Sequence, residues 1–181
     1  MSPSLSQRLN TLGLSALCAV LAVAFVAQFV ARDIPCPLCL LQRAAFAGVG
    51  IGLALNIRFG AHPSHYALAI LSALGGGAIA ARQTLLHIVP GTGSYGQALL
   101  GMHFYVWAFL LFGAIIGVTA LMMLFEGELP NEVQVMPRRW SAAVLTITVF
   151  GLLLLANGVL TVLECGGGLC PANPVGYMLL G

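Results

Sequence analysis

The chain has 181 residues, of which 60% are hydrophobic and only 7% are charged. In a typical soluble domain about a quarter of the residues are charged, so this composition predicts an integral membrane protein. The formal net charge is +2 and the sequence contains no lysine, so it offers no basic surface of the kind that binds nucleic acid, and we expect no such partner.

Five apolar runs are long enough, or nearly so, to cross a bilayer, which takes about 20 helical residues. In chain order we predict transmembrane helices over about 12–31, 40–57, 66–88, 104–125 and 142–163. The first run is too long for the apolar part of a signal peptide and four more follow it, so we interpret it as an uncleaved helix. The glycines at 75–77 are compatible with a helix, since glycine permits close packing of membrane helices. The sequence therefore predicts an all-α, polytopic protein with one integral membrane domain over residues 1–181.

The arginines and the cysteines together predict the orientation. With the N-terminus in the cytoplasm, the inner segments hold four arginines and the outer ends hold three, which is a slight positive-inside bias. Cys36 and Cys39 follow the first span and Cys165 and Cys170 follow the fifth, so both pairs are expected on the same membrane face. Thiols gathered on one face are typical of the oxidising side, where disulfides form and persist. Cys18 lies within the first span and is interpreted as a packing residue.

The stretch "DIPCPLCLLQR" contains a C-x-x-C pair directly before an apolar run. Pro37 suits the first position of a helix, which places Cys39 in the first turn, where free N–H groups and the helix dipole stabilise a thiolate. Arg43 is four residues further, on the same helix face, and can stabilise that thiolate or donate to a bound electron acceptor. An arginine this close to the bilayer is costly, which favours a functional role. A structural disulfide, with the arginine reaching for the headgroups, is the alternative.

The segment "CPLCLLQRAAFAGVG" resembles the DsbB family of bacterial inner-membrane disulfide-generating proteins, in which a C-x-x-C followed by an arginine faces ubiquinone or menaquinone. The segments "GGGAIAARQTLLHIVP" and "GMHFYVWAFLL" are similar to the third and fourth helices of that family, so the resemblance covers roughly residues 12–125. It implies a four-helix, quinone-binding bundle in the inner membrane, here with a fifth helix and with the outer side in the periplasm. It also implies a periplasmic thioredoxin-fold partner of the DsbA type.

The chain departs from the family in two places. The loop between the third and fourth spans, which carries a second cysteine pair in most members, has none, and we expect Cys165 and Cys170 to act as the shuttle pair instead. A static disulfide that caps the fifth helix is the alternative. Where the family often has a histidine near the outer end of the third span, this chain has Gln83, which can still donate to a quinone oxygen. Arg82 and His87 are further candidates for quinone binding, although such residues are more often interfacial anchors.

These features predict a protein-dithiol:quinone oxidoreductase without a metal. A reduced partner would pass electrons to Cys165–Cys170, then to Cys36–Cys39, and the Cys39 thiolate would deliver them to the membrane quinone pool beside Arg43. Three alternatives remain open at this point. A vitamin K epoxide reductase-like protein is also quinone-linked, but its C-x-x-C is expected near the last helix. A metal-binding membrane protein could use the four thiolates for zinc or Cu(I). The third alternative is a purely structural membrane protein.

Overall fold

The computed structural model describes residues 3–89, 91, 98–126, 141–171, 174 and 176–180. In this part of the chain five long helices follow one another: α1 Pro3–Val30, α2 Pro37–Phe59, α3 Pro63–Leu86, α4 Phe104–Phe125 and α5 Ser141–Cys165. All five are long and apolar enough to cross a membrane. The prediction of an all-α, polytopic membrane protein is therefore confirmed.

Prolines and local caps set where two of the helices begin. Pro37 and Pro63 occupy the first turns of α2 and α3, where the missing N–H of proline has no helical partner to lose. The residue before Pro63, His62, accepts a hydrogen bond from the Ser64 N–H through its side chain. α3 runs without interruption through the three glycines, and α1 begins at Pro3, before the apolar run that starts near residue 12.

The connection between α3 and α4 contains a short antiparallel strand pair, β1 Ala98–Leu99 and β2 Met102–His103. A sharp turn with positive φ angles at Leu100 (53°) and Gly101 (81°) reverses the chain between the strands. Residues 127–140 lie outside the described part of the chain, and with them Arg138 and Arg139, two of the four arginines that were counted for the orientation.

Helices α2, α3 and α4 pack in sequence, α1 packs on α2, and α5 lies against α1 and α2. The centre of this bundle contains Phe46 of α2 stacked on Phe112 of α4, with ring centroids 4.1 Å apart. The outward face of α5 exposes large apolar side chains, among them Leu145, Leu152 and Leu155. An apolar surface of this extent is typical of a helix that faces lipid.

The bundle has two ends, and both disulfide pairs lie at the same one, which we call the cysteine end. It contains the last turns of α1, α3 and α5 and the first turns of α2 and α4. At the opposite end, Asn10 of α1 donates to the Tyr66 hydroxyl of α3 (3.1 Å) and accepts from Asn56 of α2 (3.1 Å). Tyr66 in turn donates to the Glu126 carboxylate after α4 (3.3 Å). This buried network joins four helices far from the cysteines, as interhelical hydrogen bonds do in membrane bundles.

Two neighbouring glycines of α3 allow a matched test of this packing. A Cβ atom at Gly76 would overlap the Phe112 ring and come within 2.7 Å of the Ala45 Cβ, whereas a Cβ at Gly75 would meet nothing within 4 Å. We expect Gly76→Ala to lower the free energy of unfolding by about 1–3 kcal/mol, because it forces the aromatic stack apart. Gly75→Ala should leave stability unchanged or slightly higher, since alanine is the better helix former. Thermal unfolding in detergent measures both, and equal effects of the two substitutions would contradict this account of the core.

Candidate active site

Cys36 and Cys39 form a disulfide at the N-terminus of α2, with their Cα atoms 5.0 Å apart. Cys36 is the residue that caps the helix, and its sulfur accepts a hydrogen bond from the Cys39 N–H (3.2 Å). Cys39 lies in the first turn, as the position of Pro37 predicted. The two sulfurs therefore sit where unpaired helical N–H groups favour negative charge, so that a thiolate formed on reduction is stabilised by the backbone.

Gln83 of α3 makes direct contact with this disulfide. Its side-chain amide nitrogen lies 3.3 Å from the Cys36 sulfur and 3.5 Å from the Cys39 sulfur, at hydrogen-bonding geometry. The Gln83 oxygen accepts from the side-chain amide of Gln42 (2.8 Å), which fixes which atom of Gln83 faces the sulfurs. Gln83 is fully buried, with 0% exposure. A buried N–H donor aimed at sulfur favours the thiolate form.

A cavity of about 370 Å³ opens beside the disulfide, between α1, α2 and α4. Its wall is mostly apolar and aromatic, with Phe46, Tyr105 and Trp107 among the lining side chains. The polar part of the wall includes both cysteines, Gln42, Arg43 and Asp33, and the Asp33 Oδ2 atom is buried with no hydrogen-bond partner among the described residues. An apolar cavity with a few convergent polar groups is the usual form of a small-molecule site.

Arg43 lies in the cavity wall and is held from α1. Its side chain is 9% exposed and donates to the Gln28 side-chain oxygen and to the Ala24 carbonyl oxygen, at 2.6 and 3.0 Å. The guanidinium also lies over the Phe25 ring, 5.5 Å from its centroid. A snorkelling arginine would extend its charge into water, whereas this one is buried and bonded inside the protein. These two hydrogen bonds use two of the five N–H groups of the guanidinium.

Glu164, in the last turn of α5, brings a carboxylate into this region. It is 1% exposed, and it interacts electrostatically with Arg43. Its Oε2 atom has no hydrogen-bond partner among the described residues. No ion pair joins these two described side chains, so the carboxylate acts on the guanidinium only through the longer-range attraction of opposite charges.

Cys165 and Cys170 form the second disulfide, at the end of α5, with Cα atoms 4.4 Å apart. The chain reverses after Cys165 through Gly166 and Gly167, whose φ angles of 61° and 77° favour glycine. Leu169, at the tip of this loop, is almost fully exposed. The two sulfur-bearing residues differ in access, because Cys165 is only 5% exposed and Cys170 is half-buried. The pair is thus partly covered at the end of the helix.

The remaining candidates from the sequence lie on α3 or at its end and are not among the residues that line the cavity. Arg82 is exposed. His87 is half-buried, with its Nδ1 atom 2.8 Å from the Gln83 carbonyl oxygen and its ring 5.5 Å from that of Tyr105. Of the predicted quinone contacts, only Arg43 is part of the described wall. Among the described residues, no group of three or more His, Cys, Asp or Glu side chains could hold a metal ion.

Sequence reasoning did not identify several polar residues of this site: Gln28, Asp33, Gln42, Glu164 and Tyr177. One available signal was that Gln28 and Glu164 are polar residues near the ends of apolar spans, where each such residue is a functional candidate by default. Gln42 stands beside Arg43 and could have been considered with it. No sequence signal distinguishes Tyr177, because its importance depends on where the tail folds.

A family model described as "Disulfide bond formation protein DsbB" matches residues 6–94. This region covers α1 to α3, including the first disulfide, Gln83 and Arg43, and excludes α5 with the second disulfide. No solved structure matches the chain.

Several curated relatives carry the name Disulfide bond formation protein B. The one from Aromatoleum aromaticum is 32% identical over 128 residues, which is 67% of this chain and 72% of that protein. The one from Burkholderia thailandensis is 40% identical over 86 residues, which is 44% of this chain and 48% of that protein. The one from Azoarcus sp. is 38% identical over 79 residues, which is 40% of this chain and 46% of that protein. The chain thus spans about half the length of the last two.

The contact of Gln83 with sulfur can be tested on the reduced protein. We expect Gln83→Leu to slow alkylation of the Cys36 and Cys39 thiols by iodoacetamide several-fold at neutral pH, because the thiolate loses its donor. Gln83→Glu keeps an acceptor for Gln42 but replaces the donor by a negative charge, and should slow the reaction further. Leu85→Ala, an exposed position on the same helix, is the control. Mass spectrometry of the alkylated peptides gives the rates, and unchanged rates in both Gln83 variants would refute the effect.

Proposed function

Since the chain belongs to the DsbB family of disulfide bond formation proteins, we propose that it is a protein-dithiol:quinone oxidoreductase of the bacterial inner membrane. In this function it oxidises a periplasmic dithiol protein and passes the electrons to a membrane quinone. The observation that carries the proposal is the position of the Cys36–Cys39 disulfide in the wall of an apolar cavity that also contains Arg43. A structural disulfide has no need of such a cavity.

The properties of the cavity suit a quinone, of the ubiquinone or menaquinone type. Aromatic and aliphatic side chains of α1 and α4 form apolar walls that suit the flat ring of a quinone. Arg43 can donate N–H groups to a quinone carbonyl oxygen. When bound, a quinone supplies an acceptor for two electrons and two protons. The protein's part is to hold the Cys39 sulfur and the Arg43 guanidinium on the same face of α2, one helical turn apart.

Arg43 and Gln83 have different proposed roles at this site. Arg43, held by α1, is proposed to bind and orient the quinone. Gln83 was expected beside the quinone, but its contacts support a role at the sulfur atoms, where it would stabilise the thiolate form of the pair. Neither Arg82 nor His87 lines the cavity, although the His87 ring lies beside Tyr105, which does. The structure therefore adds no support for direct quinone binding by either residue.

The second disulfide is proposed to receive electrons from a thioredoxin-fold partner of the DsbA type. A thiolate of the reduced partner attacks one sulfur of Cys165–Cys170, and the second partner thiol then releases the oxidised partner, leaving two thiols on this chain. Exchange with Cys36–Cys39 restores the Cys165–Cys170 disulfide and reduces the first pair. Two electrons and two protons thus leave the partner and pass through two disulfides in turn.

The unequal access of the two sulfurs suggests which is attacked. Cys170 is half-buried and follows the exposed loop tip at Leu169, whereas Cys165 is buried against the bundle. A bulky partner can therefore approach Cys170 more readily, so that Cys165 is the leaving thiolate. That thiolate is formed on the side of the pair nearer to the bundle, which suits onward exchange with the first disulfide.

The proposed orientation places the cysteine end of the bundle in the periplasm. Both disulfides lie at this end, because Tyr177, downstream of Cys170, is hydrogen-bonded to Gln28 near the end of α1. The N-terminus is then cytoplasmic and the C-terminus periplasmic, in agreement with the slight positive-inside bias of the arginines.

Substitution of Arg43 tests the quinone site. We expect Arg43→Ala to raise the apparent KM for a short-chain quinone by about tenfold or more, since a charged hydrogen-bond donor is lost. Arg43→Lys should restore binding only in part, because an ammonium group cannot reproduce the planar fork. Quinone reduction is followed with a small dithiol as donor, and thermal unfolding shows whether each variant is folded. Arg58→Ala, an exposed position on the same helix at the opposite end, is the control, and a normal KM in a folded Arg43→Ala variant would exclude the proposed contact.

Trapping with a single-cysteine partner tests the relay and the orientation together. Added to spheroplasts, a thioredoxin-fold partner that retains only its nucleophilic cysteine should form a mixed disulfide with Cys170, detected on a non-reducing gel and mapped by mass spectrometry. A partner added in this way reaches only the periplasmic face. The double variant with Cys165→Ser and Cys170→Ser should form no adduct and oxidise no partner, yet it should turn over a small dithiol at saturating quinone.

Two further results complete this test. Cys39→Ser should abolish quinone reduction with either donor, because it breaks the pair next to the cavity. If the double serine variant oxidised the partner at the wild-type rate, the relay would be excluded and Cys36–Cys39 would have to meet the partner directly.

A further inference from the structure

The end of the chain folds back onto the bundle after the second disulfide. We refer to residues 176–180 as the C-terminal tail. The Leu179 N–H donates to the Leu163 carbonyl oxygen (3.1 Å) and the Met178 N–H to the Glu164 carbonyl oxygen (3.5 Å). A further bond, from the Leu180 N–H to the Tyr177 carbonyl oxygen (3.0 Å), closes a turn within the tail. The backbone of α5 therefore holds the tail at its own last turn.

This docking brings Tyr177 to α1. The Gln28 side-chain amide nitrogen donates to the Tyr177 hydroxyl (2.9 Å), and the Gln28 oxygen accepts from Arg43 (2.6 Å). Gln28 is 3% exposed, so water cannot readily replace either bond. A continuous chain of hydrogen bonds thus runs from the tail, through one buried amide, to the arginine in the cavity wall.

Arg43 and the Tyr177 hydroxyl together hold the Gln28 amide in one orientation. An amide has an acceptor at one side and donors at the other, and rotation by half a turn would aim its N–H groups at the guanidinium, which is also a donor. The guanidinium therefore keeps the Gln28 oxygen facing Arg43, and the Tyr177 hydroxyl gives the nitrogen an acceptor that holds the amide in place. In a buried site such a chain is strengthened by the low polarity around it, because each bond polarises the next.

A long, flexible arginine needs this support if it is to be ready for a ligand. A guanidinium loses side-chain entropy when it is held in one geometry. This loss weakens ligand binding unless the side chain is already held in that geometry in the unliganded protein. Gln28 and the Ala24 carbonyl oxygen accept hydrogen bonds from two of the N–H groups of Arg43. These two bonds fix the orientation of the guanidinium and so of its remaining N–H groups. Weakening the Gln28 bond would therefore reduce quinone affinity before it reduced the rate of the chemical step.

We propose that Tyr177 is a positioning residue for Arg43, acting through Gln28, and that the C-terminal tail is a working part of the quinone site. This inference rests on the proposed quinone reduction. It extends the site beyond the region of the family match, residues 6–94, to a segment at the other end of the chain. The chain after α5 would then contain both Cys170 of the partner-facing disulfide and the tyrosine that supports the arginine at the cavity.

Tyr177→Phe removes one hydroxyl and keeps the ring. With a small dithiol as donor, we expect the apparent KM for quinone to rise about three- to tenfold while kcat at saturating quinone stays within a factor of two, because one partly buried hydrogen bond in the positioning chain is lost. Leu180→Ala, an exposed position in the same tail, controls for general disturbance of the tail and should leave both constants unchanged.

A double-substitution comparison separates positioning from a structural effect. If Tyr177 acts through Gln28, then adding Tyr177→Phe to Gln28→Leu should raise KM no further, since the chain is already broken. Fully additive effects, or a Tyr177→Phe variant with the wild-type KM, would overturn the inference. A Tyr177→Phe variant with lowered kcat and an unchanged KM would also overturn it.

Binding provides a readout that does not depend on turnover. Trp107 lines the cavity, and Trp140→Phe leaves it as the only tryptophan of the chain, so quenching of its fluorescence by a short-chain quinone reports the Kd. The Kd should rise in Tyr177→Phe by the same factor as KM. If the parent protein neither binds nor reduces quinone, the proposed function fails, and this inference with it. If the parent does both and Tyr177→Phe matches it, only the inference fails.

Discussion

Burial of one guanidinium at the edge of an apolar bundle is the constraint on which the rest of this site depends. A charge in that position needs polar partners, because the surrounding side chains offer it nothing in place of water. Arg43 finds them in Gln28 and the Ala24 carbonyl oxygen of α1 and, through Gln28, in the Tyr177 hydroxyl of the tail, while the carboxylate of Glu164 on α5 adds an opposite charge at longer range. The need to satisfy this charge therefore ties α1, α5 and the C-terminus to α2.

The disulfide and the arginine of α2 are held by two different neighbouring helices. Gln83 reaches the sulfurs from α3, and Gln28 reaches the arginine from α1, so each is supported by a different neighbour. Between them, α2 itself aligns Cys39 with Arg43 through helical periodicity alone. The cavity opens where α1 and α4 leave the face of α2 partly uncovered, which puts the disulfide and the guanidinium in contact with the same space.

Polar networks at both ends of the bundle enclose an apolar middle. At the opposite end, hydrogen bonds of Asn10 with Asn56 and Tyr66 join α1, α2 and α3. In the middle, the Phe46–Phe112 stack fills the space that Gly76 leaves open. The close-packed middle of the bundle and the hydrogen-bond network at the opposite end hold the helices in place. Individual side-chain contacts at the cysteine end can then set the geometry of the site.

The sequence by itself determined the features that depend on composition and short spacing. Five apolar runs predict five helices, and Pro37, Cys39 and Arg43 predict a reactive helix terminus, because an N-terminal proline and a four-residue spacing fix local geometry without any neighbour. Only the tertiary structure decided the partners: Gln83 at the sulfurs and Tyr177 linked to Gln28, which is 149 positions away in the chain. The first contact depends on how α3 packs against α2, and the second on how α5 and the tail pack against α1. Helical periodicity carries no information about packing between elements so distant in sequence, and that is the physical reason why the arginine could be predicted and its support could not.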